Sequence, residues 1–305
     1  MDRLMDNERM EKTGRILKSI SGFYDVLEDE TNELIRTRAR GNFRKRNIKP
    51  VVGDRVKFEK SDELGYILEV EDRKNSLVRP PIANVDQAIV VTSAVEPNFS
   101  SNLLDKILLN IEHNNIQPLI YLTKTDLLSD ESYEKLKQII ESYHEADYVT
   151  FTDRECYSPE QINRLKEYFL DKTTVFTGQS GAGKSTILNY IDPELALATA
   201  EISKALSRGK HTTRQVSLFD IAGGLVADTP GFSSLELIDI DEEELPTLFP
   251  EMVKYSHLCQ FRGCMHFNEP NCAVKDQVEK GTIIKSRYEN YLYFLNEIRN
   301  TKKRY

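Results

Sequence analysis

The stretch "TTVFTGQSGAGKSTILNYI", residues 173–191, constrains the chain more than any other. Gly178, four residues, then Gly183, Lys184 and Ser185 form the G-x4-G-K-[ST] pattern of a phosphate loop, set between an apolar strand and a helix start. The candidate phosphate contacts are Gly178, Gln179, Ser180, Gly181, Ala182, Gly183, Lys184, Ser185 and Thr186. Glycines let backbone N–H groups turn inward around phosphate oxygens. The Lys184 ammonium is suited to the β- and γ-phosphates, the Ser185 hydroxyl to Mg²⁺, and the helix start adds the positive end of its dipole. Such loops usually open their domain. This one begins at residue 178 of 305.

The residues ahead of the loop supply a base reader. From "QAIVVTSA" onward, buried-strand runs alternate with helical periodicity: "LLDKILLNIEHNN", "PLIYLT", "SYEKLKQIIESYHEA", "DYVTF" and "SPEQINRLKEYF". That grammar predicts a parallel sheet covered by helices. Ser158 reads as an N-cap, Pro159 as the first helical residue and Gln161 as the partner closing a capping box. At the end of "IYLTKTDLL", Thr123-Lys124-Thr125-Asp126 matches [NT]KxD. An Asp126 carboxylate accepts from guanine N1–H and the 2-amino group together, and adenine offers neither donor there. Lys124 is placed to cover the base with its stem.

Downstream, "VADTPGF" ends an apolar strand with Asp228, followed by Gly231 in D-x-x-G. Asp228 is expected to hold Mg²⁺ through water and the Gly231 N–H to face a γ-phosphate. Between loop and strand, "SRGKHTTRQ" fits a switch segment in which Thr212 or Thr213 completes the Mg²⁺ shell. Phe232 follows D-x-x-G and has no hydrogen-bonding group, so His211 is a candidate to orient the attacking water. The order TKTD, GQSGAGKS, DTPG places the base motif first. Spatial order makes a site, so the reading is a complete, circularly permuted nucleotide domain.

Residues 13–80 read as about five short strands, the pattern of a small barrel such as the oligonucleotide-binding type. "LVRPPIANVD" reads as the linker behind it. The whole chain carries a net charge of −8, yet residues 36–60 hold ten Lys or Arg against Asp54 and Glu59, a local +8. An acidic protein with one basic module suggests a directed contact with a polyanion. Near the other end, Cys259, Cys264, His266 and Cys272 form C-x4-C-x-H-x5-C, a closed tetrahedral Zn²⁺ set with no open position for catalysis. Cys156 stands apart as an ordinary thiol. No apolar run approaches a membrane span of roughly 20 residues, and a cytosolic monomer without membrane contact is expected.

With "TGRI", "PVVGDRV", "RPPIANVDQ", "SAVEPNFS", "RGKHTTR" and "EPNCAVK", these motifs closely resemble the ribosome small-subunit-dependent GTPase A (RsgA) family from about Thr13 onward. The resemblance implies a multidomain chain. Residues 1–12 would be an extension, 13–80 an OB-fold RNA-binding barrel, 81–240 a permuted α/β GTPase domain, and 241–305 a mostly helical zinc module. It implies GTP hydrolysis to GDP, and partnership with the 30S subunit and its 16S rRNA late in maturation. Two departures stand out. Thr123 replaces the commoner Asn, and no SAK-type base loop is recognisable where Thr150, Phe151 and Thr152 lie. An RNA-binding assembly protein holding GTP as a structural ligand, and an ATP-dependent enzyme with a coincidental TKTD, are the alternatives.

Overall fold

The computed structural model describes residues 11–41, 43, 48–61, 64–78, 80–193, 216–228 and 240–302. The chain divides into two compact units.

The first unit contains the barrel. Strands β1 (Glu11–Ile20), β2 (Phe23–Glu28), β3 (Leu34–Ala39), β4 (Arg55–Glu59) and β5 (Gly65–Val70) pair in the order 1-2-3-5-4. β1 also pairs with β4, which closes the barrel in the order of the five-stranded oligonucleotide-binding type. Alternate residues point inward: Ile16, Val26, Ile35, Val56, Phe58 and Ile67 are all buried. The stretch "GRILKSISGFYDVL" forms a hairpin of β1 and β2. Ser21 and Gly22 both take positive φ, the geometry of a two-residue turn between twisted strands.

The expected linker is also structured. β6 (Ser76–Leu77) and β7 (Ile82–Ala83) form a small ladder, and Ile82 bridges to Val52 of the barrel. Asn84 Nδ2 donates to the Gly53 carbonyl at 3.1 Å, which ties the segment down further. The same unit holds the antiparallel hairpin β12 (Ser217–Ile221) and β13 (Gly224–Asp228), whose turn is Ala222–Gly223. Gly224 opens β13, where a Cβ would meet the Phe169 carbonyl oxygen at 1.8 Å.

In the second unit, β8 (Gln87–Ser93), β9 (Gln117–Thr123) and β10 (Val149–Phe151) run parallel. Nearly every residue of β8 and β9 is buried, as both faces of a parallel sheet require. Helices α1 (Ser101–His113), α2 (Asp130–Glu145) and α3 (Pro159–Lys166) make the connections, each with a serine N-cap: Ser100, Ser129 and Ser158. β11 (Thr173–Thr177) leads through the glycine-rich loop into α4 (Lys184–Ile191).

The C-terminal residues add α5 (Pro250–Ser256), α6 (Ala273–Glu279) and α7 (Lys285–Lys302), joined by a core that includes Leu248, Phe249, Met252, Val274, Phe294 and Ile298. A buried cation attaches these helices to α1. Arg287 is 2% exposed. It donates to both Glu251 oxygens at 2.6 and 2.9 Å and to Asp105 Oδ1 at 2.6 Å. Burial works against the Arg287 charge, but Asp105 and Glu251 outweigh it and hold the guanidinium charged.

Glu112 lies on the same helix as Asp105, and burial raises its carboxyl to about 7 despite the opposing pull of Arg287. The folded protein therefore keeps a proton that the unfolded chain releases near the ordinary carboxylate range. This contribution to stability is full at low pH and fades as pH rises toward 7. Glu112→Gln, neutral throughout, should gain stability relative to the parent between pH 5 and pH 8. Urea titrations at the two pH values check this; an unchanged difference contradicts it.

Candidate functional site

The phosphate loop follows from local backbone geometry. Gly178 has φ 131°, and a Cβ there would stand 2.0 Å from the Val91 carbonyl oxygen, so only glycine lets the loop lie on the end of β8. Gly183, at φ 95°, caps α4. The N–H groups of the first turn of α4 have no partner within the helix, which makes this end an anion cradle. Lys184 Nζ donates to the carbonyls of Gly178 and Gln179 at 2.7 and 2.8 Å, and burial lowers its pKa. Ser185 and Thr186 are exposed at the start of the helix, and Ala182 is buried beneath the loop.

The TKTD segment stands at the carboxyl end of β9. Thr123 is fully buried, and its Oγ1 donates to the Ala182 carbonyl at 2.6 Å. The residue in the place of the usual Asn is thus a physical tie between base motif and phosphate loop. Lys124 takes the left-handed conformation, φ 58°, and its Nζ donates to the Glu96 carbonyl. Thr125, also buried, donates to the carbonyls of Asp153 and Arg154, both at 3.0 Å. Asp126 is exposed in the short 3-10 turn Thr125–Leu127.

Asp126 borders a cleft of about 300 Å³ completed by Glu155, Cys156, Tyr157, Ser158 and Pro159. The wall opposite Asp126 therefore lies downstream of Thr150–Thr152, in the loop between β10 and α3. Cys156 Sγ is 3.8 Å from Asp126 Oδ1, and burial pushes the thiol up, keeping it protonated. Tyr157 stacks on Tyr190 of α4 with centroids 5.0 Å apart. Burial raises its hydroxyl to about 12. The sequence marks the end of this loop through the Ser158 cap, but it gives no sign that Cys156 and Tyr157 line the cleft.

Asp228 closes β13, which runs parallel to β11 in the register Val175↔Ala227. His211, Thr212, Thr213, Gly231 and Phe232 lie outside the described residues, as do Arg44, Lys45 and Arg46.

A second cluster is suited to a metal. The donor atoms of Cys259, Cys264, His266 and Cys272 all lie within 4.8 Å of one another. Cys259 Sγ is 3.7 Å from His266 Nδ1 and 3.9 Å from Cys272 Sγ, and His266 Nδ1 is 3.3 Å from Cys272 Sγ. A tetrahedron with bonds of about 2.0–2.3 Å has edges of roughly 3.3–3.8 Å, so the spacing fits one small cation. Burial pushes the Cys264 thiol up to about 12 and lowers His266. The chelating loop is braced from outside. Tyr288 OH donates to the His266 carbonyl at 2.7 Å, Tyr291 OH donates to the Met265 carbonyl, and Glu269 accepts from the N–H groups of Met265 and Phe267.

A phosphate loop tied to a TKTD turn that precedes it in the chain is the arrangement of a circularly permuted P-loop GTPase. Residues 70–238 match the RsgA GTPase family, and residues 13–67 match the RsgA N-terminal domain. The chain belongs to the RsgA GTPase family. It is 54% identical over 296 residues to the small ribosomal subunit biogenesis GTPase RsgA of Latilactobacillus sakei, covering 96% of this chain and 98% of that one. Identity to the protein of that name from Bacillus subtilis is 49%, covering 96% and 99%. Among solved structures, the circularly permuted GTPase YloQ matches with TM-score 0.83 at 42% identity, covering 99% of this chain and all of that one. YjeQ from Thermotoga maritima matches with TM-score 0.82 at 36% identity, covering 95% and 99%.

The tie between Thr123 and Ala182 has a measurable consequence. Thr123→Val keeps the shape but leaves the Ala182 carbonyl buried without that donor, a loss of about 1–3 kcal/mol. Urea denaturation should show it. A variant as stable as the parent means the hydroxyl contributes nothing.

Proposed function

We propose that this chain binds GTP with Mg²⁺ at the phosphate loop and TKTD turn, hydrolyses it, and acts in the cytoplasm as a monomer on maturing small ribosomal subunits. The tie through Thr123 carries the reading, because it fixes a guanine-selective carboxylate relative to a phosphate cradle. In this reading Asp126 pairs with guanine, Lys184 neutralises charge on the γ-phosphate, and Ser185 and Asp228 serve Mg²⁺. The Gly231 N–H faces the γ-phosphate, Thr212 or Thr213 completes the Mg²⁺ shell, and His211 orients water. The four-ligand cluster takes one structural zinc. Among the described residues no helix is long and apolar enough to cross a membrane.

The barrel is the RNA-facing element of this proposal. Many of its basic residues are already paired: Arg36 with Asp25, Arg40 with Glu59, Arg55 with Asp29, Lys57 with Glu69 and Lys60 with Glu33. Arg38 has no carboxylate partner among the described residues. It lies 4.0 Å over the Phe23 ring, and the register places Phe23, Arg38 and Tyr66 in one row across three strands. A cation between two aromatic rings on an exposed sheet is suited to an unpaired base and its phosphate.

Hydrolysis assays with and without purified 30S subunits test the reading. The free protein should turn over slowly, since Phe232 supplies no water-orienting amide, and subunits should accelerate it. Stimulation should fall steeply with salt as phosphate contacts are lost, and Arg38→Ala should reduce it while leaving basal turnover intact. Lys184→Ala should lower hydrolysis by a factor of about 10² or more. Equal rates with and without subunits would refute the ribosomal role. Metal analysis should find one zinc per chain, lost in Cys264→Ser along with protease resistance of the C-terminal helices. A folded, metal-free parent protein would refute the zinc assignment.

A further inference from the structure

The barrel strand β1 changes partner along its length. Over Glu11–Arg15 it pairs with β4 and closes the barrel. Its ladder with β2 shifts register between Ile16 and Lys18, and Lys18 pairs with Ser217 of β12. Such an irregularity bends a strand, and here it marks the point where β1 passes from β4 to the β12–β13 hairpin. Ser217 in turn pairs with Asp228 of β13. The row Lys18, Ser217, Asp228 thus runs from the barrel to the residue proposed above to serve Mg²⁺. On its other edge β1 meets the aromatic row of the barrel, since Ile20 pairs with Phe23 and Phe23 with Arg38.

Arg15 makes a second attachment. Its Nη1 donates to Thr173 Oγ1 at 2.8 Å. Thr173 is the fully buried first residue of β11 and pairs with Leu225 of β13. Its backbone is held as well. Asp86 Oδ2 accepts from the Thr173 N–H at 2.7 Å, and the Asp86 N–H donates to the Thr173 carbonyl at 2.9 Å. β11 then ends at Thr177, directly before Gly178 of the phosphate loop.

The placement of Arg15 is unfavourable in itself. Its Nε is buried without a partner, and Arg15 forms no ion pair among the described residues. Burial and the nearby Arg55 both weaken its hold on the proton, against Asp86 and Asp29. A buried donor left unmatched is destabilising, so one bond to a neutral hydroxyl leaves little net gain. An apolar side chain of similar length would fill the space without that loss. What the guanidinium supplies is a fixed distance between β1 and the start of β11.

We infer that Arg15 is a positioning residue through which the barrel acts on GTP hydrolysis. With the Lys18–Ser217 pairing, it holds the strands that end at the phosphate loop and at Asp228 in register with β1. The inference rests on the reading of the barrel as the face that meets the small subunit. A strand ladder resists sliding, because a slip of one residue turns every side chain to the opposite face. A displacement imposed on the barrel by a bound subunit is therefore passed along β1 to both strand ends. Without the Arg15 bond, the start of β11 loses its side-chain hold on β1.

The test uses the full-length parent, Arg15→Met, Thr173→Val and the double variant. GTP turnover is measured with and without purified 30S subunits, and subunit binding with a non-hydrolysable GTP analogue. Each single variant should keep basal turnover and subunit affinity within about twofold, yet lower the stimulated rate roughly tenfold, which corresponds to about 1.4 kcal/mol. The double variant should be no worse than either single one, because both remove the same bond. Thr173→Val nearly preserves shape, so it decides the matter if Arg15→Met misfolds. Full stimulation in both single variants overturns the inference. So does a loss of stimulation that only follows lost subunit binding, or that comes with an equal fall in basal turnover, since Arg15 then serves the fold alone. If subunits bind the parent without accelerating it, the failure lies in the proposed ribosomal role.

Discussion

The hydrogen bond from the Thr123 hydroxyl to the Ala182 carbonyl is the constraint on which the site depends. A permuted chain must bring a base motif and a phosphate loop together across more than fifty residues of intervening sequence. The loop cannot drift, because Gly178 lies on the Val91 carbonyl and Gly183 is enclosed by Tyr157 and Thr123. The base turn cannot drift either, because Thr123 is the last residue of a buried strand. One short hydroxyl therefore joins two elements that are each already rigid. The threonine hydroxyl sits one bond from Cβ, so it reaches the Ala182 carbonyl with a single rotatable side-chain torsion to hold.

A second tie of different character binds the cysteine-bearing helices. Arg287 on α7 reaches Glu251 on α5 and Asp105 on α1, and Asp105 also accepts from Tyr143 and Asn290. A buried ion pair adds little net stability over a well-packed apolar contact, but losing one member leaves uncompensated charge worth several kcal/mol. In this arrangement the guanidinium satisfies both carboxylates at once, so a shift of any one of the three helices leaves a buried charge short of a partner. The cysteine–histidine cluster is held at the same end of α7 that carries Arg287. Tyr288 and Tyr291, on the helix that carries Arg287, hold the carbonyls of His266 and Met265. The chelating loop and the buried cation are thus connected through the first two turns of α7.

Much of this was legible in the sequence where the signal is local. The phosphate loop, the TKTD turn, the strand–helix alternation and the four metal donors each occupy a short window of fixed spacing. What was not legible depends on partners far away in the chain. Gln161 reads as a helix cap because three-residue spacing from a serine is a local signal; its real partners, Tyr121 and Cys156, lie on another strand and in an irregular loop. "LVRPPIANVD" reads as a linker because prolines break regular structure, yet Ile82 finds a strand edge at Val52. The +8 segment reads as an open basic face, but five of its cations have carboxylates from neighbouring strands or strand ends beside them. Charge counting along one stretch cannot see cross-strand pairing.

The TKTD half of the site depends on one strand end and the turn after it. Tyr121 and Thr123 are two residues apart on β9 and project to the same face, where period-two geometry brings both against the loops above. Tyr121 holds the Cys156 carbonyl and Thr123 holds the Ala182 carbonyl. Thr125, two residues further on, holds the carbonyls of Asp153 and Arg154. Three side chains at alternate positions thus hold the phosphate loop and the loop between β10 and α3, and Asp126 follows directly. Two of these attachments originate at the end of β9 and the third in the turn that follows it. A short run of chain thus carries the tie, the brace and Asp126 together, whatever the order in which the rest of the domain is connected.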